Sequence, residues 1–141
     1  MKIVLLAVGK LKDPWVLEGC AEYLQRLRRH ATIQVVEVKE GTALAARIPA
    51  RHRVVALTER GQEPTSAELA ERVARWQMEG GAGVVFLIGG ADGLPAEMER
   101  QADERLSLSR LTLPHRLARL VLLEQLYRAF SILRGEPYHR A

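Results

Sequence analysis

Four apolar runs rich in β-branched residues constrain this chain most: Ile3 to Val8, Ile33 to Val38, Val54 to Leu57 and Val84 to Ile88. Each is nearly continuous rather than alternating, which is how strands covered on both faces read, and a weaker run around Leu106 to Leu111 makes a fifth. Helical spacing fills the intervals. Asp13-Pro14 offers an N-cap and a first-turn proline, after which Val16, Leu17, Cys20, Leu24 and Leu27 recur with helical period. Thr65 to Glu68 fits a capping box, followed by Leu69, Val73 and Trp76 and a stop at Gly80-Gly81. Short helices are expected within Gly41 to Pro49 and Pro95 to Glu104. Strands alternating with helices predict an α/β fold with a mainly parallel sheet and right-handed crossovers. The 141 residues, 48% hydrophobic and without a linker or repeat, are read as one domain spanning 1–141.

The same residues exclude several classes. No apolar run approaches the roughly 18 to 20 residues of a membrane span, and the N-terminal run has no small-residue cleavage site behind it. A single cysteine, Cys20, forms no internal disulfide and lacks metal-ligand spacing, so a cytoplasmic protein with no metal is expected. Charge is uneven: residues 1–104 sum to −1 and residues 105–141 to +5, all of the excess from arginine. Arginine's planar fork suits phosphate, which makes a polyanionic partner one reading and solvated helix faces the other.

The helix expected from His115 to Arg134 is apolar around much of its circumference, through Leu117, Leu120, Val121, Leu122, Leu123, Leu126, Tyr127, Phe130, Ile132 and Leu133. A second copy of the chain is the expected cover, and a fully buried central helix is the alternative.

Ligands of an open parallel sheet bind beyond the carboxyl ends of its strands. Three of those loops contain glycine: Gly9-Lys10, Glu59-Arg60-Gly61 and Gly89-Gly90-Ala91-Asp92-Gly93. The last lacks the G-x-G-x-x-G order, and no G-K-[ST] exists, so a pyrophosphate cradle is rejected. A nucleoside-like ligand without phosphates fits better, and the sulfonium of S-adenosylmethionine tolerates a neighbouring Asp92 or Glu59. The stretch from Leu106 to His115 is long for a connection and rich in hydroxyls, suited to wrapping a ligand, although Thr112 capping a helix near Pro114 explains part of it. After the helix stop at Gly135, the tail offers Tyr138, His139 and Arg140: a stacking ring, a group titrating near neutrality and a phosphate fork. A frayed terminus contributing little core is the plain alternative. His30 and His52 are expected at the surface, His115 is read as structural, and Cys20 as core.

Four ordered segments, Ile88 to Gly93, Ser107 to His115, Leu123 to Phe130 and Arg134 to Arg140, together closely resemble the SPOUT-class RNA methyltransferases of the RlmH type. The opening Lys2 to Gly9 and Trp76 to Gly80 are similar as well, so the resemblance spans essentially the whole chain. It implies an S-adenosylmethionine-dependent enzyme that methylates N3 of a pseudouridine in 23S ribosomal RNA, on the ribosome. It implies further a C-terminal deep trefoil knot, a homodimer, and a cofactor site formed by Leu57, Gly90, Ser109, Arg110, Leu111, Thr112, Leu113 and Pro114. By the same resemblance Arg128, Tyr138, His139 and Arg140 face the RNA near the subunit interface. His139, as the titratable group of the tail, is the candidate base or base-orienter. Departures are Arg116, where other members often carry Pro or Gln, and a shorter segment from Gly41 to Arg53. A knotted enzyme acting on transfer RNA or on ribose hydroxyls, and a non-catalytic ribosome assembly factor, are the competing expectations.

Overall fold

The computed structural model describes residues 1–140, apart from the side chain of Arg140. Five strands, β1 (Lys2–Val8), β2 (Thr32–Val38), β3 (His52–Gln62), β4 (Gly83–Ile88) and β5 (Glu104–Leu106), form one sheet in the order β2-β1-β4-β3-β5. Every pairing is parallel. Four α-helices accompany them: α1 (Pro14–Leu27), α2 (Ser66–Met78), α3 (Ala96–Gln101) and α4 (His115–Leu133). The α/β reading with a parallel sheet holds.

The continuous apolar runs are explained by two unequal layers. On one face Ile3, Leu5, Ala7, Val84 and Phe86 pack under α1, α2 and α4. On the other, Val4, Leu6, Val85 and Leu87 lie under Leu44, Ile48, Leu94 and Met98, so the cover is two short 3-10 turns (Gly41–Ala43 and Ala45–Arg47) and α3. A strand with both neighbours and both faces filled has no polar side to show, and β1 and β4 read accordingly.

Local signals set the helix starts. Thr65 accepts from the Glu68 N–H while Glu68 accepts from the Thr65 N–H, the expected capping box. Asp13 occupies the N-cap position of α1 without capping it, because its carboxylate pairs with Arg116 at 2.9 Å and ties the start of α1 to the start of α4. Thr112 is likewise not a cap, since α4 has Pro114 at its N-cap and no side-chain bond there.

Two strands differ from expectation. β5 covers Glu104–Leu106 rather than the region from Leu106 to Leu111. Glu104 starts it by collecting Arg53 and the Trp76 indole N–H at 2.7 Å, a charged anchor that hides the strand from a hydrophobicity reading. β3 extends to Gln62, and Leu57 and Gln62 both pair with Leu106, so Thr58 to Gly61 is an outward excursion inside the strand. Gly61 is required there: a Cβ would lie 2.6 Å from the Arg105 carbonyl carbon and from the Leu106 nitrogen.

Helix α4 lies against both α1 and α2. Leu122, Leu123, Leu126, Tyr127 and Phe130 are all buried within one chain, which accounts for most of its apolar breadth without a second copy. Arg119 is buried too, its guanidinium donating to Glu37 and to the Gly9 carbonyl.

His30 is not a surface residue. Its side chain is fully enclosed, stacked on Phe130 at 5.4 Å between ring centres and edge-on to Tyr127, and neither ring nitrogen has a hydrogen-bond partner among the described residues. His52 is half-buried, with Nδ1 against the Ala50 carbonyl. Burial, reinforced by Arg134 and Arg29 and opposed by Glu136, pushes the His30 pKa down. The unfolded chain then binds the extra proton, so stability present above the ordinary histidine pKa of about 6.5 is lost as pH falls through that value. The melting temperature is expected to drop between pH 7 and pH 5, and His30→Phe should flatten that dependence; an unchanged slope would contradict the burial of a neutral imidazole.

Candidate functional site

The carboxyl ends of β3, β4 and β5 open into a cleft of about 760 Å³, within the usual range for small-molecule sites. Three segments build it. The first is the excursion Thr58-Glu59-Arg60, which Glu99 of α3 holds in place: Arg60 donates to both Glu99 oxygens, at 2.8 and 2.6 Å, and Thr58 Oγ1 donates to Oε1 at 2.9 Å. The Arg60 hydrogen bonds, opposed by burial and helped by Thr58, hold the Glu99 carboxyl below its ordinary pKa.

The second segment is the turn after β4. Gly93 N–H donates to Gly90 O at 3.0 Å, and Gly93 takes φ +76°, so the turn folds back tightly. A Cβ on Gly89 would meet the Gly93 carbonyl carbon at 2.4 Å. Gly90 lines the cleft with its backbone, whereas a Cβ there would point toward Val8 Cγ1 at 3.2 Å. The third segment runs from Leu106 to Pro114. Its hydroxyls have local work: Ser107 Oγ donates to Ser109 O at 3.0 Å, and Ser109 Oγ accepts from Leu111 N–H at 2.9 Å, the short-range bonds by which serine shapes a turn.

Of the cofactor candidates, Leu57, Gly90, Ser109, Leu111, Thr112, Leu113 and Pro114 all line this cleft; Arg110 is exposed and does not. Glu59 and Asp92 line it as expected. Glu99 was not legible as a site residue, because one glutamate in a helix of glutamates and arginines gives no sign of the excursion that it anchors.

The four tail and helix candidates lie elsewhere. Helix α4 begins at the cleft, where His115, Arg116 and Ala118 contribute to the wall, and runs back along the sheet. Arg128 is 13 positions further on, about 20 Å at the rise of an α-helix. Beyond it, Glu136 pairs with Arg29 at 2.8 Å, next to the residues that lead into β2, so the tail sits at the amino end of the strands. One protomer therefore holds its tail and its cleft at opposite ends.

Nor is the tail a frayed end with little core. Pro137–Arg140 is a 3-10 turn. Tyr138 packs edge-on against Tyr127 at 4.7 Å, and its hydroxyl lies 3.0 Å from that of Tyr23 and donates to Glu124 at 2.7 Å. Burial and those two hydrogen bonds push the Tyr138 pKa far up. Glu124 also accepts from Arg128, at 3.1 and 2.7 Å, and raises its pKa. His139 is exposed, and the Arg140 side chain lies outside the described residues. Among the described residues no group of three or more His, Cys, Asp or Glu is placed to hold a metal ion, and no helix is long and apolar enough to cross a membrane.

A family model described as "Predicted SPOUT methyltransferase" matches residues 1–139. A relative from Anaeromyxobacter sp. (strain K), named "Ribosomal RNA large subunit methyltransferase H", is 51% identical over 99% of this chain and 100% of its own length. One of the same name from Dechloromonas aromatica (strain RCB) is 46% identical over 99% of both chains. Among solved structures, that of a probable methylase family protein from Haemophilus influenzae Rd KW20 shares the fold, with a TM-score of 0.59 at 15% identity over 97% of this chain and 69% of that one.

Because Tyr138 is part of the packing, removing residues 138–141 should destabilise the protein by about 2 to 4 kcal/mol, the scale of deleting a large, mostly buried aromatic with its hydrogen bonds. Denaturant unfolding checks this, and a truncated protein as stable as the full chain would show that the turn is not docked.

Proposed function

We propose that this chain, which belongs to the SPOUT methyltransferase family, methylates N3 of a pseudouridine in 23S ribosomal RNA. The observation that carries the reading is a glycine-bounded cleft at the carboxyl end of a parallel sheet, in a chain half identical to proteins named for ribosomal RNA methylation. The residues present fit S-adenosylmethionine. Backbone from Gly89 to Gly93 and from Leu106 to Pro114 is available to an adenine edge and ribose, Glu59 and Asp92 suit a sulfonium, and Arg60 is already occupied by Glu99. Bound there, S-adenosylmethionine supplies the methyl group. The SPOUT reading brings with it the deep trefoil knot.

Attack by N3 requires loss of the imide proton and alignment of the nitrogen lone pair with the methyl carbon, and positioning supplies much of such a rate. His139 is exposed and is the group suited to take the proton, whereas Tyr138, buried and donating to Glu124, does not act as a base. Arg128 supplies positive charge for the imidate that forms, and Arg140 a phosphate contact. The separation of tail and cleft within one protomer supports a homodimer in which the tail of one copy serves the cleft of the other. Exposed Trp15, Leu17 and Leu133 are the apolar residues of α1 and α4 left for that contact.

The test is complementation between two inactive variants. Gly90→Val should press on Val8 and deform the cofactor turn, weakening S-adenosylmethionine binding. His139→Ala should lower methyl transfer to ribosomes about a hundredfold, with cofactor affinity retained. Subunits mixed at equal concentration should recover about a quarter of wild-type activity, because half the dimers are mixed and each holds one intact site. No recovery, with subunit exchange demonstrated, would place tail and cleft of one chain in one site and overturn the dimer reading.

A further inference from the structure

We infer that Glu124 and Tyr23 are positioning residues for methyl transfer, holding the Tyr138 ring and the Arg128 fork in one fixed arrangement at the RNA-facing end of α4. This rests on the proposed reading, in which Arg128 and the tail meet the nucleotide.

The hydrogen bonds run in one direction. Tyr138 donates to Glu124 Oε2, which leaves Tyr23 to donate to the Tyr138 oxygen. The same Glu124 oxygen accepts Nε and Nη2 of Arg128, and Oε1 accepts from Gln125. Glu124 is thus filled by donors, as a largely buried carboxylate must be. With Nε and Nη2 engaged, the Nη1 edge of Arg128 has no partner among the described residues. The guanidinium lies over the Tyr138 ring, 4.9 Å from its centre, so ring and fork fix each other's planes. Arg26, itself paired to Glu22 at 2.7 Å, closes the other side of the cluster at 5.2 Å from Tyr23 and 5.8 Å from Tyr138.

A glutamate four residues before an arginine on a helix normally contributes only about 0.3 to 0.5 kcal/mol, through that pair alone. Glu124 does more than that, because it reaches off the helix to a residue 14 positions later. Among the described residues, the Tyr138 hydroxyl makes the only side-chain hydrogen bonds of the whole 3-10 turn, and both go to Tyr23 and Glu124. His139 and Arg140 follow directly in that turn, so their placement depends on this anchor. An error of about 1 Å in such placement is enough to cost a hundredfold in rate.

The experiment uses the full-length protein, ribosomes lacking the modification, and S-adenosylmethionine labelled in its methyl group. Glu124→Gln keeps the size but loses the charge that pairs with Arg128. At saturating ribosomes and cofactor its single-turnover rate should fall about tenfold or more, the scale of a lost charge-assisted hydrogen bond, with cofactor affinity unchanged. Tyr23→Phe removes one hydroxyl and tests the same anchor should Glu124→Gln fold poorly. It should slow transfer several-fold in the wild-type background and have no further effect in Tyr138→Phe. A wild-type saturated rate in both single variants, or an equal Tyr23→Phe effect with and without the Tyr138 hydroxyl, would overturn the positioning role and leave only a structural one. Wild-type protein that transfers no methyl to ribosomes would instead overturn the functional reading beneath it.

Discussion

Everything about the site follows from the way α4 is held. Nineteen residues long, about 28 Å at helical rise, it is packed between α1 and α2 across one face of the sheet. Buried Leu122, Leu123, Leu126 and Phe130 fix its depth, and buried Arg119, engaged with Glu37 and Gly9, fixes its rotation. A helix so constrained cannot tilt to bring its ends together. Its start stays in the cleft wall, and its end stays beside the residues that open β2. Separation of the cleft from the tail is therefore a property of the packing, and it is the physical reason for proposing a site shared between two copies.

The cleft itself depends on backbone more than on side chains. Close approach at Gly61 and Gly89 lets three loops converge, and Glu99 then locks the most polar of them through Arg60 and Thr58. A site made this way suits a ligand read by carbonyl and amide groups, and it leaves few side chains to act on the reacting nitrogen. In the proposed function, the titratable and cationic groups are supplied by the tail and by Arg128 instead. The geometry sets the cleft and the tail at opposite ends of one chain.

Much of the fold was legible because burial on two faces writes itself into β1 and β4 as unbroken apolar runs, and because the Thr65–Glu68 capping box is a local signal with a local outcome. β5 was misplaced because its first residue is charged and its stability comes from Arg53 and Trp76, which are distant in sequence. His30 looked polar and exposed since its neighbours Arg28 and Arg29 are, yet the chain turns there and lays the ring on Phe130. Seven of the eight cofactor candidates line the cleft; the glycine loop and the long hydroxyl-rich stretch pointed to all but Leu57, which only the family resemblance had singled out. What no local pattern could reveal is that Tyr138 closes on Tyr23, a contact across 115 positions.

The central claim is a methyl group on N3 of a 23S ribosomal RNA pseudouridine, and mass spectrometry of that RNA tests it most directly. RNA from cells lacking the gene should carry the unmethylated pseudouridine, and incubation of their ribosomes with the purified protein and S-adenosylmethionine should add the mass of one methyl group to that nucleotide alone. A 23S RNA unchanged in mass under these conditions, or a methyl group appearing on ribose or on transfer RNA, would contradict the account.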